Sequence, residues 1–125
     1  MNQGFSRSLR LLNQQQFQPV FDSADLRVSA QGFLLLSRYS QLEHSRLGLV
    51  IGKKNVKLAV QRNRIKRQIR EHFRKTQAQL PAMDIVIIAR KGLDTQTNQE
   101  LQTTLAKAWQ RLHKLSAPKQ TLLQP

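Results

Sequence analysis

The alternation of apolar and polar positions predicts the strands of this chain. Residues 26–30 and 32–39 are two strand candidates separated by little more than a turn, which indicates a hairpin. Residues 46–52 place leucine and isoleucine at every second position, with small residues between them that leave space for close approach to the backbone. Residues 83–89 are apolar almost throughout, which is typical of a strand covered on both faces and beside a parallel neighbour.

Capping residues predict three helices. Asn13, with Gln16 three residues later, predicts a short helix, and Pro19 predicts that this helix is kinked or ends early. Asn55 is the predicted cap of a long helix that reaches about residue 79 and is stopped by Pro81. A second capping box, Thr97 with Glu100, opens the last helix. The inner stripe of this helix consists of Leu101, Leu105, Trp109 and Leu112.

These elements predict one mixed sheet of four strands with helices packed on it. The order is α-β-β-β-α-β-α, so the fold class is α+β, a two-layer α/β sandwich. A chain of 125 residues fits a single domain, which we place at residues 1–115, with residues 116–125 as a disordered tail.

The composition restricts the cellular location of the protein and the kinds of covalent and metal chemistry that it can use. The chain contains no cysteine, which excludes disulfides and thiolate metal sites and favours an intracellular, cytoplasmic location. The N-terminal residues lack the apolar segment of a signal peptide, and no apolar run is long enough to cross a bilayer. We therefore expect a soluble protein.

The charge indicates the kind of partner. The 21 Lys and Arg residues exceed the 7 Asp and Glu residues by 14, and such an excess self-repels in a compact domain unless a polyanion relieves it. Nucleic acid is the expected polyanion. An anionic membrane surface is less favoured, because the most basic helix lacks the apolar insertion face that membrane binding needs.

Half of the basic residues lie close together, because residues 53–75 contain 10 of the 21 and only one acid, Glu71. At 100° per residue one apolar stripe should face the sheet, formed by Leu58, Ile65, Ile69, His72 and Phe73. The remaining arc is cationic and consists of Arg64, Lys66, Arg67, Arg70, Arg74 and Lys75. Guanidinium groups suit phosphate, and a merely solvated helix would interleave more glutamates.

Asn63 is the uncharged residue inside this run. Its amide can donate to and accept from a base edge or a 2′-hydroxyl of RNA. It can equally cap a helix that begins late, and the spacing alone favours neither interpretation.

The motifs of this helix resemble those of the protein subunit of bacterial ribonuclease P. The resemblance rests on the segments 53–56 (KKNV), 59–60 (AV), 62–67 (RNRIKR), 69–71 (IRE), 73–74 (FR), 81–84 (PAMD) and 90–92 (RKG). It extends from about Arg7 to Leu112. It implies the fold of the second domain of a small-subunit ribosomal protein, with a left-handed crossover from the third strand through the basic helix to the fourth.

The resemblance also implies a function. Ribonuclease P is a ribonucleoprotein endonuclease that removes the 5′ leader of precursor tRNA, and its RNA subunit holds magnesium and performs the chemistry. The protein itself then needs no cofactor, no catalytic residue, no membrane and no obligatory protein partner. Family positions that face the catalytic RNA match Arg62, Asn63, Arg64, Lys66, Arg67 and Arg70, and those that contact the leader match Phe17, Phe21, Lys53 and Arg90.

Two of these positions have a competing structural interpretation. Phe17 and Phe21 lie one helical turn apart, and from the residues alone core packing is the favoured role. The resemblance instead makes them stacking platforms for unpaired bases, with nearby cations following the backbone.

Two other functions compete with this one. A protein nuclease needs positioned acid-base groups, but His44, His72 and His113 are scattered, and Asp22 and Asp25 are the only close pair of acids. A ribosomal or general RNA-binding protein would share the charge without the motif. Replacing Arg62 and Arg64 is expected to weaken assembly with the catalytic RNA and to leave the fold intact, which would separate these hypotheses.

Overall fold

The computed structural model describes residues 10–122 except residues 12 and 41, and it describes side chains as far as Ser116. Two short 3-10 turns, Gln77–Gln79 and Leu93–Thr95, accompany the main elements. Those elements are α1 (Gln14–Asp22), β1 (Leu26–Ala30), β2 (Phe33–Tyr39), β3 (Arg46–Val50), α2 (Ala59–Thr76), β4 (Met83–Ala89) and α3 (Asn98–Leu122). The predicted element order and fold class are confirmed.

The four strands form one mixed sheet in the order β1-β2-β4-β3. β1 and β2 form the predicted hairpin, β4 pairs antiparallel with β2, and β3 pairs parallel with β4. Because β3 and β4 run in the same direction, α2 connects them as a crossover and α2 and α3 leave the same edge of the sheet. The predicted parallel neighbour of residues 83–89 is therefore β3.

Alternate residues of the central strands point into two separate apolar clusters. Phe33, Leu35, Ile85 and Ile87 belong to the main core, which also contains the inner residues of α2 and α3. The opposite face carries a smaller cluster of Leu11, Val20, Leu34, Leu36 and Val86, with Phe17 and Ile88 packed against it. Helices α2 and α3 thus cover one face of the sheet, and α1 covers part of the other.

Two predicted helix starts are confirmed and one is wrong. The Asn13 side chain accepts a hydrogen bond from the Gln16 amide, and Thr97 and Glu100 form the reciprocal capping box. Asn55 does not cap α2, because its amide donates 3.0 Å to the Ala89 carbonyl and thereby ties the loop after β3 to the end of β4. Helix α2 begins at Ala59 instead, after the N-cap residue Leu58.

The predicted inner stripes are confirmed for α3 and partly wrong for α2. Leu101, Leu105, Trp109 and Leu112 are all buried, as are Ile65, Ile69 and Phe73. Leu58 precedes the helix and is 61% exposed, so its assignment to the stripe is wrong. His72 lies at the edge of the stripe and is half-buried.

Pro19 lies within α1, and the helix ends three residues later at Asp22. At the other end of the chain, α3 continues to Leu122, whereas the sequence predicts a tail from residue 116. Residues 1–9 and 123–125 lie outside the described residues, and so do the side chains from residue 117. The domain boundary at residue 115 remains a prediction.

Candidate nucleic-acid interface

Four residues of the sequence motif share one side of α2, which we call the basic flank: Asn63, Lys66, Arg67 and Arg70. Together with Glu71 they line an open groove of about 370 Å³. Their spacing of three and four residues places them on adjacent turns of one helix side. Within the described part of the chain, none of these four side chains has a hydrogen-bonding or ion-pair partner. The flank therefore offers amide and cationic donors to an external acceptor.

The charges of the basic flank are not compensated locally. Burial, and then the neighbouring charge of Arg10, lowers the pKa of the Arg70 guanidinium. Arg10 reaches this place because it forms an isolated parallel bridge with Leu47 on β3. A guanidinium destabilised by a like charge is stabilised when a phosphate binds between the two.

Arg64 lies on the side of α2 that faces α3 and is half-buried, so its predicted place in the solvent-facing arc is wrong. Its guanidinium donates to Gln61 Oε1 at 2.8 Å, to Asn98 Oδ1 at 2.7 Å and to the Gln96 carbonyl at 3.0 Å. The last two bonds fasten α2 to the beginning of α3. Arg64 is therefore engaged in the fold, and replacing it cannot be expected to leave the fold intact.

Arg62 also has an internal role. Its Nη1 atom donates to the carbonyls of Val56 and Lys57, both at 2.9 Å. These bonds hold the loop that precedes α2 against the first turn of the helix. The other guanidinium nitrogens make no hydrogen bond with the described residues, so Arg62 retains donors for a ligand.

Asn63 lies in the second turn of α2, and its side chain is exposed. The interpretation of Asn63 as a cap for a late-starting helix is therefore wrong. Its amide faces the groove of the basic flank, so the structure retains the donor and acceptor that sequence reasoning assigned to it.

The second group of predicted residues surrounds the sheet face under α1. The Phe17 ring lies directly over Gly48 of β3, since a Cβ atom at Gly48 would lie 2.5 Å from Phe17 Cε1. Phe17 and Phe21 are stacked, with ring centroids 6.3 Å apart and planes 18° from parallel. Phe17 is half-buried and Phe21 is 41% exposed, so core packing is wrong for Phe21 and incomplete for Phe17.

Lys53 and Arg90 lie at one end of this face. β3 and β4 are parallel with Val50 opposite Ile88, so the segments that follow them leave the same edge of the sheet. Both side chains are exposed, and the bond from Asn55 to Ala89 holds their two loops together. The structure therefore places these two cations at one edge of the sheet whose face carries Phe17, and we call the surface formed by Phe17, Phe21, Lys53 and Arg90 the aromatic cleft.

Sequence reasoning missed two contributors to these surfaces, an apolar floor and Arg10, and it also missed an ion pair within the sheet. Val50 and Ile88 lie in one row across the sheet with Leu34 and form an apolar floor, which the alternation of β3 and β4 could have indicated. Arg10 is far from Arg70 in sequence, and no local signal joins them. Arg46 makes a bidentate ion pair with Asp84, both bonds at 2.8 Å, and this contact with its hydrogen bonds raises the pKa of Arg46.

The candidate acid-base groups serve other contacts. Asp25 accepts a hydrogen bond from the Tyr39 amide, and Asp22 accepts one from Gln18, so the two carboxylates support local structure. Among the described residues, no three His, Cys, Asp or Glu side chains are grouped to hold a metal ion. The same residues include no helix that is long and apolar enough to span a membrane.

The fold and these surfaces define a class: a small basic α+β protein whose cationic side chains and aromatic faces suit a polyanion. Comparison with known proteins is specific. The profile of the family described as Ribonuclease P matches residues 5–113, and the chain belongs to this family.

Individual relatives agree with that membership. The ribonuclease P protein component of Stutzerimonas stutzeri is 54% identical over 125 residues, covering 100% of this chain and 94% of the relative. The ribonuclease P protein component of Pseudomonas aeruginosa is 55% identical over 112 residues, covering 90% of this chain and 83% of the relative.

Solved structures of the family have the same fold. The ribonuclease P protein of Staphylococcus aureus is 30% identical with a TM-score of 0.76 and covers 82% of this chain and 94% of its own. The ribonuclease P protein of Thermotoga maritima is 30% identical with a TM-score of 0.71, and the match covers 82% of this chain and 96% of that protein. The chain is therefore a protein subunit of an endoribonuclease complex. The role of this family is processing of the tRNA 5′ end.

Proposed function

We propose that the basic flank of α2 binds the catalytic RNA of ribonuclease P and that the aromatic cleft binds the 5′ leader of precursor tRNA. In this proposal the RNA subunit holds the magnesium ions and cleaves the phosphodiester. The protein brings the two RNAs together in the cytoplasm without a catalytic residue of its own.

The observation that carries the first half is the uncompensated charge of the basic flank. A cation already paired within the protein gains little from a phosphate, because the existing bond must be broken first. Lys66, Arg67 and Arg70 need no such exchange, since their side chains have no hydrogen-bonding or ion-pair partner among the described residues. Arginine forks also donate two parallel hydrogen bonds to phosphate oxygens.

The beginning of α2 adds to this surface. Leu58 is the N-cap residue, and its side chain makes no capping hydrogen bond. The first amides of α2 consequently have no side-chain acceptor, and the helix dipole favours an anion at this end. Arg62 and Asn63 lie within the first two turns of this end, directly after Gln61, whose Oε1 already accepts a hydrogen bond from Arg64.

The aromatic cleft supports the second half of the proposal. Aromatic faces stack on unpaired bases of any sequence, and nearby cations follow the phosphates. Phe21 is the more exposed ring, and Phe17 is held by its contact with Gly48. Lys53 and Arg90 extend the path of a single strand beyond the rings, as a leader without fixed sequence requires.

The decisive experiment is precursor tRNA cleavage at low magnesium, comparing the catalytic RNA alone with the catalytic RNA plus this protein. We expect the protein to restore cleavage at the mature 5′ end, because its cations replace part of the ionic screening that magnesium supplies. Unchanged cleavage in the presence of the protein would contradict the proposal. A variant with Lys66, Arg67 and Arg70 replaced by glutamine serves as the matched control and should not restore cleavage.

A further inference from the structure

Helices α2 and α3 run side by side in the same direction, and their facing residues pair at a constant offset of 34 positions. Arg64 bonds Asn98, and one turn later the Gln102 amide donates 2.9 Å to Gln68 Oε1. The same offset next places His72 opposite Ala106, and there the pairing stops. Ala106 has only a methyl group, so a gap opens between the helices at this turn.

The gap is a groove of about 540 Å³, which lies within the range of about 300–1,000 Å³ that small-ligand sites occupy. Leu80, Ala106 and Trp109 contribute its apolar wall, and Gln110, His113 and Lys114 contribute polar groups. No Asp or Glu lines it among the residues that the structure describes. The basic flank and the aromatic cleft contribute no residue to it.

Two buried polar atoms belong to residues that line this groove. Trp109 Nε1 and His72 Nδ1 are both inaccessible to solvent and have no hydrogen-bond partner among the described residues. Trp109 is 3% exposed, and its ring packs on Phe73 with centroids 5.9 Å apart. An indole N–H can only donate, and leaving a buried donor unpaired is unfavourable, so the site lacks an acceptor.

The protonation of His72 suits the same ligand. Burial, and then the charge of Lys75, lowers the pKa of His72, so the imidazole is neutral near pH 7. A neutral imidazole donates from one nitrogen and accepts at the other. A nucleobase edge offers both acceptors and donors, whereas a simple anion offers acceptors alone.

We propose that the groove between α2 and α3 binds an unpaired nucleotide of an RNA strand. Entry of the base between His72 and Ala106 displaces the side chains that close Trp109 Nε1 to solvent, so that the base accepts a hydrogen bond from this donor. The phosphates on either side lie near Lys114 at the rim. This site is distinct from both surfaces of the proposed function and would give the protein a third RNA contact.

The chain carries its own reporter, because Trp109 is the only tryptophan. The full-length protein labelled with ¹⁵N therefore gives one indole N–H signal by NMR. We would titrate it with adenosine 5′-monophosphate, tetra-adenylate and inorganic phosphate. We expect a saturable shift with both nucleotides, and half-saturation by tetra-adenylate at a concentration at least about tenfold lower because two or more phosphates contact cations.

Variants locate the response. Ala106→Leu fills the gap without changing a charge and should abolish the shift, whereas Ala78→Leu makes the same change at an exposed position outside the groove and should retain it. Lys114→Gln, at the exposed rim, should raise the half-saturating concentration of tetra-adenylate about threefold. It tests the site even if Ala106→Leu impairs folding.

Several results would overturn the proposal. An indole signal that no nucleotide moves would mean that only water occupies the groove, and an equal response to inorganic phosphate would show an anion site without base recognition. An unchanged shift in Ala106→Leu would place the nucleotide elsewhere. Binding of the catalytic RNA by these variants is measured separately, so failure of this inference is distinguishable from failure of the proposed function.

Discussion

The two sides of α2 carry the same kinds of side chain and use them differently. On the side that faces α3, Arg64 makes three hydrogen bonds and Gln68 makes one, all within the protein. On the basic flank, Lys66, Arg67 and Arg70 make none with described residues. The comparison teaches that the density of cations on a helix does not show which of them are available to a ligand, whereas their internal hydrogen bonds do.

The largest expected effect comes from removing the basic flank. Replacing Lys66, Arg67 and Arg70 together with glutamine should weaken binding of the catalytic RNA by about a hundredfold, at roughly 1 kcal/mol for each lost phosphate contact. The slope of log affinity against log salt should also fall by about 2–3 units. Binding titrations at several salt concentrations measure both values, and an unchanged slope would contradict the assignment of the flank.

The other side of α2 should respond in stability instead. Arg64→Ala removes the bonds that join α2 to α3 and should lower the free energy of unfolding by about 2 kcal/mol, because hydrogen bonds of charged groups are strong. Arg67→Ala, the matched control on the basic flank, should change it by less than about 0.5 kcal/mol. Urea denaturation of both variants tests the difference, and equal losses would remove the distinction between the two sides.

A third prediction extends the comparison to the aromatic cleft. Gly48→Ala places a methyl group where the Phe17 ring now lies, so the ring must move and its stack with Phe21 is disturbed. Affinity for leader-bearing precursor should fall about tenfold, at about 1–3 kcal/mol for each stacked base. Affinity for mature tRNA, measured in parallel, should stay the same. An equal loss of affinity for mature tRNA would contradict the assignment of the aromatic cleft to the leader.

The smallest effect should come from Glu71, the acid at the border of the basic flank. Its carboxylate pairs with Arg74 at 2.6 Å and Lys75 at 3.7 Å, and these contacts, the Arg74 hydrogen bond first, lower the pKa of Glu71. Glu71→Gln should raise affinity for the catalytic RNA about two- to threefold, because exposed pairs contribute little and repulsion of phosphate is lost. A decrease in affinity would show that Glu71 orders the cations instead.

Much of the fold could be predicted because it depends on local patterns. Asn13 and the Thr97–Glu100 box begin helices where the spacing indicates, and the apolar run of β4 identifies a strand between two neighbours. The predicted start of α2 was wrong because the Asn55 amide donates to a carbonyl 34 residues away, a contact that no local pattern encodes.

The candidate site was predictable only in part for the same reason. Helical periodicity separates the buried residues of α2 from the rest, but it does not show which remaining side faces α3. Arg64 therefore looked like its neighbours until Asn98 and Gln96 were in place. Likewise, Gly48 signalled a close approach, but only the tertiary structure identifies Phe17 as the group that approaches.

The constant offset between α2 and α3 also limits how the chain can change in length. Adding or removing one residue within the paired part of either helix would rotate everything beyond it by about 100° and separate Arg64 from Asn98 or Gln68 from Gln102. The length of β4 is equally constrained, because its pairing with β2 on one side and with β3 on the other fixes its register. Only the short connections before and after β4 can absorb an insertion or deletion between these helices.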